Sequence, residues 1–279
     1  HTTHHTKQIN TSPQTTRQGR YKMNEESRKP TRELSIGEII TQTFAIYSEK
    51  FTQYLIPFLI AGAITGILTM AISAVVIVPA ALSPTATPEE ILAWLPGYLG
   101  AIILLAVITG IIGWIISQIT QGISMKFTAD TLERGQANLQ TSFNYTIAKL
   151  VSLLAVSIVT GILIFAGLVA LIIPGIILSI MFSLVVPTII IENTGALESL
   201  SRSRRLVSGR WLKTFGLLIL LYVIIGIVTV LVGVISLLFG TTSRLVSSIL
   251  AAFIQPILPI GLTLYYYSMM ARTTTQEPP

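Results

Sequence analysis

The sequence predicts an all-α, polytopic membrane protein with six transmembrane helices and three amphipathic helices on the inner face of the membrane. Three observations lead to this prediction. First, 52% of the 279 residues are hydrophobic and 11% are charged, whereas a soluble domain carries roughly 25% charged residues. Second, the chain contains five long runs without a charged residue. Third, almost all Lys and Arg residues fall on one side of the predicted spans, as the positive-inside rule requires.

The composition also argues against several classes of function. Cys is absent, which excludes disulfides, thiolate metal sites and thiol nucleophiles. His occurs only at His1, His4 and His5, and Asp130 is the only Asp. Few residues are therefore available for histidine acid–base chemistry or a carboxylate metal cluster. We expect no catalytic residue, no metal and no cofactor, and we interpret the chain as a protein that is not an enzyme.

The two ends of the chain differ in composition from the middle. Residues 1–33 are rich in Thr, Gln, Lys and Arg and poor in apolar residues, a composition that cannot bury enough surface to fold alone. We expect residues 1–33 to form a disordered basic tail, residues 34–272 to form the six-span membrane domain, and residues 273–279 to form a second, short tail.

The charge-free runs give the positions of the spans. A helix needs about 20 apolar residues to cross a bilayer, and a helix satisfies its backbone hydrogen bonds internally. The runs occupy residues 51–88, 91–125, 151–191, 214–243 and 245–271. The predicted spans are residues 54–78, 98–120, 151–173, 175–191, 214–239 and 245–270.

The run over residues 151–191 is predicted to be a helical hairpin. A single helix of this length would measure about 60 Å, twice the thickness of the hydrocarbon core. Pro174 and Gly175 lie near its centre, and this dipeptide favours a helix end and a tight turn. With this hairpin, 17 of the 18 Lys and Arg residues lie on the inner side together with both termini, and only Arg244 lies outside.

Three amphipathic segments precede pairs of spans. In the first, Ser35 and Glu38 have the spacing of a capping box. Its apolar positions follow a helical spacing of three and four; they are Ile36, Ile40, Phe44, Tyr47 and Phe51. The second segment covers residues 142–150.

The third amphipathic segment covers residues 195–208 and is followed by Gly209, which suits a left-handed C-terminal cap. Leu197, Leu200 and Val207 are its predicted buried stripe. Arg204 lies on the line of that stripe, four residues after Leu200, so we expect it either to face protein or to snorkel at the surface of the helix bundle.

Short motifs between residues 34 and 272 resemble a known family. Three of them are continuous: Leu-Ser-Ile-Gly-Glu-Ile at 34–39, Ile-Pro-Gly-Ile at 173–176 and Val-Pro-Thr-Ile-Ile-Ile-Glu at 186–192. A fourth begins with Ala-Leu at 196–197 and continues with Ser203, Leu206, Val207, Gly209, Trp211, Phe215 and Gly216. The last is Leu-Tyr-Tyr-Tyr at 264–267, followed by Arg272. The chain resembles the membrane domain associated with glycerophosphoryl diester phosphodiesterases and related uncharacterised prokaryotic six-span proteins. That family usually has an Asp where this chain has Ser268. The resemblance implies a membrane module without the catalytic barrel.

The densest basic patch follows the fourth predicted span. Its cations are Arg202, Arg204, Arg205, Arg210 and Lys213. They either determine the topology only or also bind anionic lipid head groups. The candidate head-group contacts are Arg202, Arg205, Arg210 and Lys213. The candidate structural ion pair joins Glu192, at the end of that span, to Arg204.

Amides and small residues occur within the spans. Gln118, Gln121 and Gln255 either join helices by hydrogen bonds or line a polar substrate site, and Pro256 beside Gln255 predicts a kink there. Gly62 and Gly66 form a GxxxG pattern that permits close helix contact.

These observations favour a non-enzymatic integral protein of the cell membrane, with both termini cytoplasmic, that acts as a scaffold or accessory module. Its expected partners are membrane lipids or a membrane-associated protein. Nucleic acid is not expected, because the basic patch is short and lacks interleaved aromatic residues. The alternative is an uncoupled transporter or flippase for a neutral or lipid substrate, since no charge lies within a predicted span.

Overall fold

The computed structural model describes residues 27–76 and 87–276, and every regular element in these residues is helical. The helices are α1 (Ile36–Glu49), α2 (Phe51–Val76), α3 (Pro88–Arg134), α4 (Leu139–Ala170), α5 (Ile172–Met181), α6 (Val185–Glu192), α7 (Ala196–Val207), α8 (Trp211–Ser236), a short 3-10 segment (Leu237–Thr242), α9 (Ser243–Ala251) and α10 (Ile257–Gln276). The predicted all-α class is therefore confirmed for the described residues.

Within the described residues, five helical stretches are long and apolar enough to cross a membrane. They are Phe51–Ile72, Pro88–Arg134, Leu139–Ala170, Ile172–Glu192 and Trp211–Gly240. Each overlaps one of the first five predicted spans. The sixth predicted span, residues 245–270, is divided between α9 and α10 by turns at residues 252–256. Helix α9 has only nine residues and α10 ends in a polar stretch, so neither is a candidate span alone.

The ends of the folded part differ from the predicted tails. Residues 1–26, which include His1, His4 and His5, lie outside the described residues, as do residues 277–279. The backbone N–H of Arg28 donates to the carbonyl of Leu132 at 2.7 Å, and its side chain pairs with Glu49. Structured chain thus begins before residue 34, and α10 continues to Gln276, beyond residue 272.

The predicted hairpin is present, and its break lies at Leu171. This residue is extended, with φ −163° and ψ 142°, between α4 and α5. Pro174 lies in the first turn of α5, where proline is tolerated because that N–H has no helical partner. Gly167 and Gly175 let the two helices approach closely: a Cβ on Gly175 would lie 2.4 Å from Cγ of Leu168.

The three amphipathic segments have different outcomes. The capping box of Ser35 and Glu38 is formed at the start of α1. The segment over residues 142–150 is not a separate helix, because α4 begins at Leu139, capped by Asn138, and continues without a break. The third segment is the separate helix α7, followed by Gly209 with φ +75° as predicted.

The buried face of α1 differs from the predicted stripe. Its buried residues are Ile39, Thr43, Ile46 and Tyr47. Of the predicted stripe only Tyr47 is fully buried, and Phe44 and Phe51 are about 40% exposed. The stripe was displaced because Thr43, a polar residue, lies at the centre of the buried face and donates its hydroxyl to the carbonyl of Ile39.

The core is concentrated at one end of the molecule, which we call the basal end. It is defined by the contacts of Leu34 with Ser268 and of Ser208 with Arg272. Helix α10 is almost wholly buried from Ile257 to Met269. By contrast, the most apolar 18-residue stretch of α3 has no buried residue. A surface of this kind is suited to lipid rather than water.

The GxxxG pattern serves a contact within the chain. Helix α9 lies against α2, and a Cβ on Gly62 would lie 2.6 Å from the carbonyl oxygen of Ser248. A Cβ on Gly66 would lie 3.1 Å from Cα of Leu245. Both obstacles are backbone atoms, so the two helices could not keep this distance with larger residues.

This contact predicts that Gly62→Ala lowers stability, by about 1–3 kcal/mol, because the added methyl group overpacks a backbone contact. The measurement is thermal unfolding in a mild detergent. Gly226→Ala in α8 is the matched control, because its Cβ would meet nothing within 4 Å and alanine favours a helix. If both variants melted at the wild-type temperature, the α2–α9 contact would be contradicted.

Candidate functional site

Three consecutive tyrosines of α10 join three other helices at the basal end. The hydroxyls of Tyr265 and Thr214, on α8, are 2.6 Å apart. The hydroxyl of Tyr266 donates to Glu192 at the end of α6, and that of Tyr267 donates to Glu133 on α3 at 2.8 Å. Successive residues on a helix point about 100° apart, so three neighbours reach three different partners. All three tyrosines are buried core residues.

Glu192 pairs with Arg202 and not with Arg204. The Nε of Arg202 donates to the two carboxylate oxygens at 2.8 and 3.0 Å, and Nη2 lies 2.7 Å from Oε1. Arg204 is exposed and has no ion-pair partner among the described residues. The predicted Glu192–Arg204 pair is thus wrong, and the structural role belongs to Arg202.

The rotation of α7 about its axis explains this correction. Its buried residues are Ser199, Ser203, Leu206 and Val207, whereas Leu197 of the predicted stripe is 76% exposed. The hydroxyl of Ser203 donates to the carbonyl of Met181 at 2.8 Å and accepts from the N–H of Leu184 at 3.2 Å. These groups lie at the turn between α5 and α6. Ser203 therefore faces the core because it satisfies backbone groups there.

Arg210 and Lys213, two predicted head-group contacts, both bind Glu33. Arg210 donates from Nε at 2.8 Å and from Nη2 at 3.0 Å, and Nζ of Lys213 lies 2.5 Å from Oε1. The hydrogen bonds from Arg210 are the main reason that the pKa of Glu33 is lowered to about 2. Lys213 adds to this shift, and partial burial opposes it. These two cations are therefore engaged within the protein, and Glu33 was missed because it lies in the predicted tail.

Most acidic residues at the basal end have a cationic partner. The pairs are Arg28–Glu49, Lys29–Glu133, Arg32–Glu38, Lys126–Asp130, Arg202–Glu192, Arg210–Glu33 and Lys213–Glu33. In the described part of the chain, the remaining basal cations have no carboxylate partner. They are Lys50, Arg134, Lys149, Arg204, Arg205 and Arg272. Arg272 instead donates to the carbonyls of Leu206 and Ser208.

The unpaired cations of α7 lie on its exposed face, which we define as Leu197, Glu198, Ser201, Arg204, Arg205 and the following Ser208. Of the four predicted head-group contacts, Arg205 is thus the one that forms no ion pair with a carboxylate in residues 27–76 and 87–276. Arg204 joins it, because its side chain is exposed and does not face protein. The exposed face therefore presents two positive charges, the single negative charge of Glu198 and one leucine.

Ser268 holds the N-terminal segment against α10. Its hydroxyl accepts from the backbone N–H of Leu34 at 2.8 Å, and both residues are buried. No local sequence signal indicates this contact, which joins residues 234 positions apart. Across residues 27–76 and 87–276, no three His, Asp or Glu residues form a group that could hold a metal ion.

Comparison with known proteins gives one match. The model of a family described as "Domain of unknown function (DUF7847)" matches residues 45–265, which extend from the end of α1 to Tyr265. No curated protein and no solved structure matches the chain.

The pairing of Glu192 predicts that Arg202→Gln lowers stability in detergent, by about 1–3 kcal/mol, because a largely buried carboxylate loses its cation. Arg204→Gln is the matched control and should stay within about 0.5 kcal/mol of wild type. Adding Glu192→Gln to Arg202→Gln should restore part of the loss, since the unpaired charge is removed. Equal losses for the two arginine variants would contradict the assignment.

Proposed function

The chain belongs to the DUF7847 family, a domain of unknown function, and we propose that it is a non-enzymatic integral protein of the cell membrane. Its basal end binds anionic lipid head groups, and it acts as a scaffold or accessory module for lipids or a membrane-associated protein. The observation that supports this most directly is the exposed face of α7, where Arg204 and Arg205 lie beside Leu197.

The proposed topology has six crossings. Ser208 precedes α8, and its carbonyl accepts from Arg272 near the end of α10 at 3.0 Å. The chain between them must therefore leave the basal end along α8 and return along α9 and α10. Leu34, before the first candidate span, contacts Ser268 on α10. These contacts support a sixth crossing made of α9 and α10 together, although neither is a candidate span alone.

The basal end is proposed to be cytoplasmic, together with both termini. The sequence assigns 17 of 18 Lys and Arg residues to this side, and cytoplasmic segments of membrane proteins carry such an excess. At the opposite end, Thr87 and Glu90 form a capping box at the start of α3, and Glu89 lies in its first turn. In this orientation α1, α7 and the first turns of α4 are the inner-face amphipathic segments.

Two features of the basal end support lipid binding there. The carboxylates of Glu192 and Glu33 are neutralised in ion pairs, so the two exposed arginines of α7 outweigh the exposed Glu198. Each free cation near an anionic membrane contributes about 1 kcal/mol. Leu197 and Leu212 are 76% and 87% exposed, so they can enter the apolar part of the interface. Arg204 and Arg205 can then contact phosphate groups at the same depth.

The accessory role rests on the resemblance to the membrane domain of glycerophosphoryl diester phosphodiesterases. A module of that type would place a soluble enzyme, supplied by another chain, close to its lipid substrate. The uncoupled transporter or flippase is the second candidate. It is favoured by a polar cavity among the spans, described below.

The topology predicts where an impermeant thiol reagent reaches the protein in intact cells. Single cysteines can be introduced freely, because the chain has none. Cysteine at Glu89 or Thr242 should be labelled from outside, and cysteine at Gln136 or Ser208 only after permeabilisation. These positions are all exposed. Outside labelling at Ser208 would contradict the hairpin and with it the six crossings.

The lipid proposal predicts that Arg204→Gln/Arg205→Gln weakens binding of phosphatidylglycerol, by roughly thirtyfold if each cation contributes about 1 kcal/mol. The measurement is native mass spectrometry of purified protein titrated with phosphatidylglycerol and, separately, phosphatidylcholine. The loss should affect the anionic lipid only, and salt should weaken the wild-type binding. Arg134→Gln/Lys149→Gln removes the same charge at the same end of the molecule as a matched control. Equal losses for both double variants would contradict a site on α7.

A further inference from the structure

A cavity of about 490 Å³ lies among the helices α2, α3, α8 and α9, close to the turns between α9 and α10. Three of these four helices are candidate spans. The polar side chains that line it include Thr65, Ser117, Thr229, Ser247, Ser248 and Gln255. At the predicted kink beside Gln255 the helix is broken, and this break borders the cavity. No ionisable side chain lines the cavity.

Most of the hydroxyl groups that line the cavity already donate their protons to helix carbonyls. Thr65 donates to the carbonyl of Ala61 and Thr229 to that of Ile225, each at 2.8 Å. Ser247 and Ser248 both donate to the carbonyl of Arg244 at 2.9 Å. A hydroxyl that donates once keeps lone pairs that can accept. These hydroxyl groups therefore present hydrogen-bond acceptors to a cavity many of whose other lining residues, such as Phe58, Ile116 and Val232, are apolar.

Ser117 and Gln255 complete the lining. The hydroxyl oxygen of Ser117 accepts from the amide of Gln121 at 2.8 Å, so this serine retains its own proton. The side chain of Gln255 is exposed and forms no hydrogen bond with another residue of the described chain. It can both donate and accept. The break itself is held by Tyr47, whose hydroxyl donates to the carbonyl of Phe253 at 2.7 Å.

We infer that this cavity binds a small neutral solute that carries several O–H or N–H donors, a polyol being the simplest example. The polar groups of the wall favour a ligand that supplies donors, because a hydroxyl that already donates can still accept. A charged solute is disfavoured, since no opposite charge lines the cavity and charges at membrane depth are expensive. The inference rests on the proposed crossing of the membrane, and it supplies a substrate class for the second candidate function.

Two glycines of the lining allow a sharp test. Gly113 on α3 and Gly233 on α8 line the cavity, and a Cβ on either would meet nothing within 4 Å. A larger side chain would therefore occupy the cavity without disturbing a helix contact. Gly110 and Gly226 on the same helices have equally open surroundings and do not line the cavity. They provide controls with the same added volume.

The experiment is saturation-transfer difference NMR of the full chain in lipid nanodiscs, with erythritol as the probe and erythronate as its charged counterpart. Wild-type protein should give a signal with erythritol and none with erythronate. Gly113→Leu and Gly233→Leu should each reduce the erythritol signal at least fivefold, whereas Gly110→Leu and Gly226→Leu should keep it. Gln255→Leu should also reduce it, because the amide without a protein partner is lost.

The absence of an erythritol signal with wild-type protein would overturn the inference, as would equal signals from Gly113→Leu and Gly110→Leu. Melting temperatures of the leucine variants show whether each is folded. If a variant on one helix is not folded, the inference is tested by the glycine pair of the other helix, Gly113 with Gly110 on α3 or Gly233 with Gly226 on α8. Failure here is distinguishable from failure of the proposed function. Arg204→Gln/Arg205→Gln should bind erythritol normally, and Gly113→Leu should bind phosphatidylglycerol normally.

Discussion

The hydrogen bonds of Tyr265, Tyr266 and Tyr267 join the buried helix α10 to α8, α6 and α3. A helix that is buried on all sides cannot leave polar side chains without partners, because each would lose its hydrogen bonds to water. The three hydroxyls meet this requirement by binding groups near the basal ends of three other helices. The position of α10 therefore fixes those helix ends relative to one another, and Ser268 adds the N-terminal segment to the same assembly.

The ion pairs of the basal end follow from this arrangement. Glu192 accepts from Tyr266 and is also bound by Arg202, and Glu133 accepts from Tyr267 and is paired with Lys29. The carboxylates are thus neutralised where the helices converge, whereas Arg204 and Arg205 remain exposed. A positive surface over a neutralised interior is suited to anionic head groups. It is also the electrostatic reason for the proposed cytoplasmic orientation.

Local signals predicted the parts of the fold that depend on local physics. The charge-free runs predicted the five helical stretches that are long and apolar enough to cross a membrane, because length and apolarity are properties of each segment. The hairpin was predicted from Pro174 and Gly175, although the break lies at Leu171, since proline is tolerated in the first turn of α5. The capping box at the start of α1 was also predicted correctly, because it is formed by a serine and a glutamate only three positions apart.

The sequence by itself determined that the chain is helical, apolar and asymmetric in charge, because these properties follow from composition and spacing. Only the tertiary structure decided which face of α7 is buried, since Ser203 is buried by its hydrogen bonds to backbone groups of the α5–α6 turn and not by hydrophobicity. That rotation places Arg202 on Glu192 and exposes Arg204. The division of the last predicted span into α9 and α10 was likewise decided by contacts distant in sequence, among them the bond from Tyr47 to the carbonyl of Phe253.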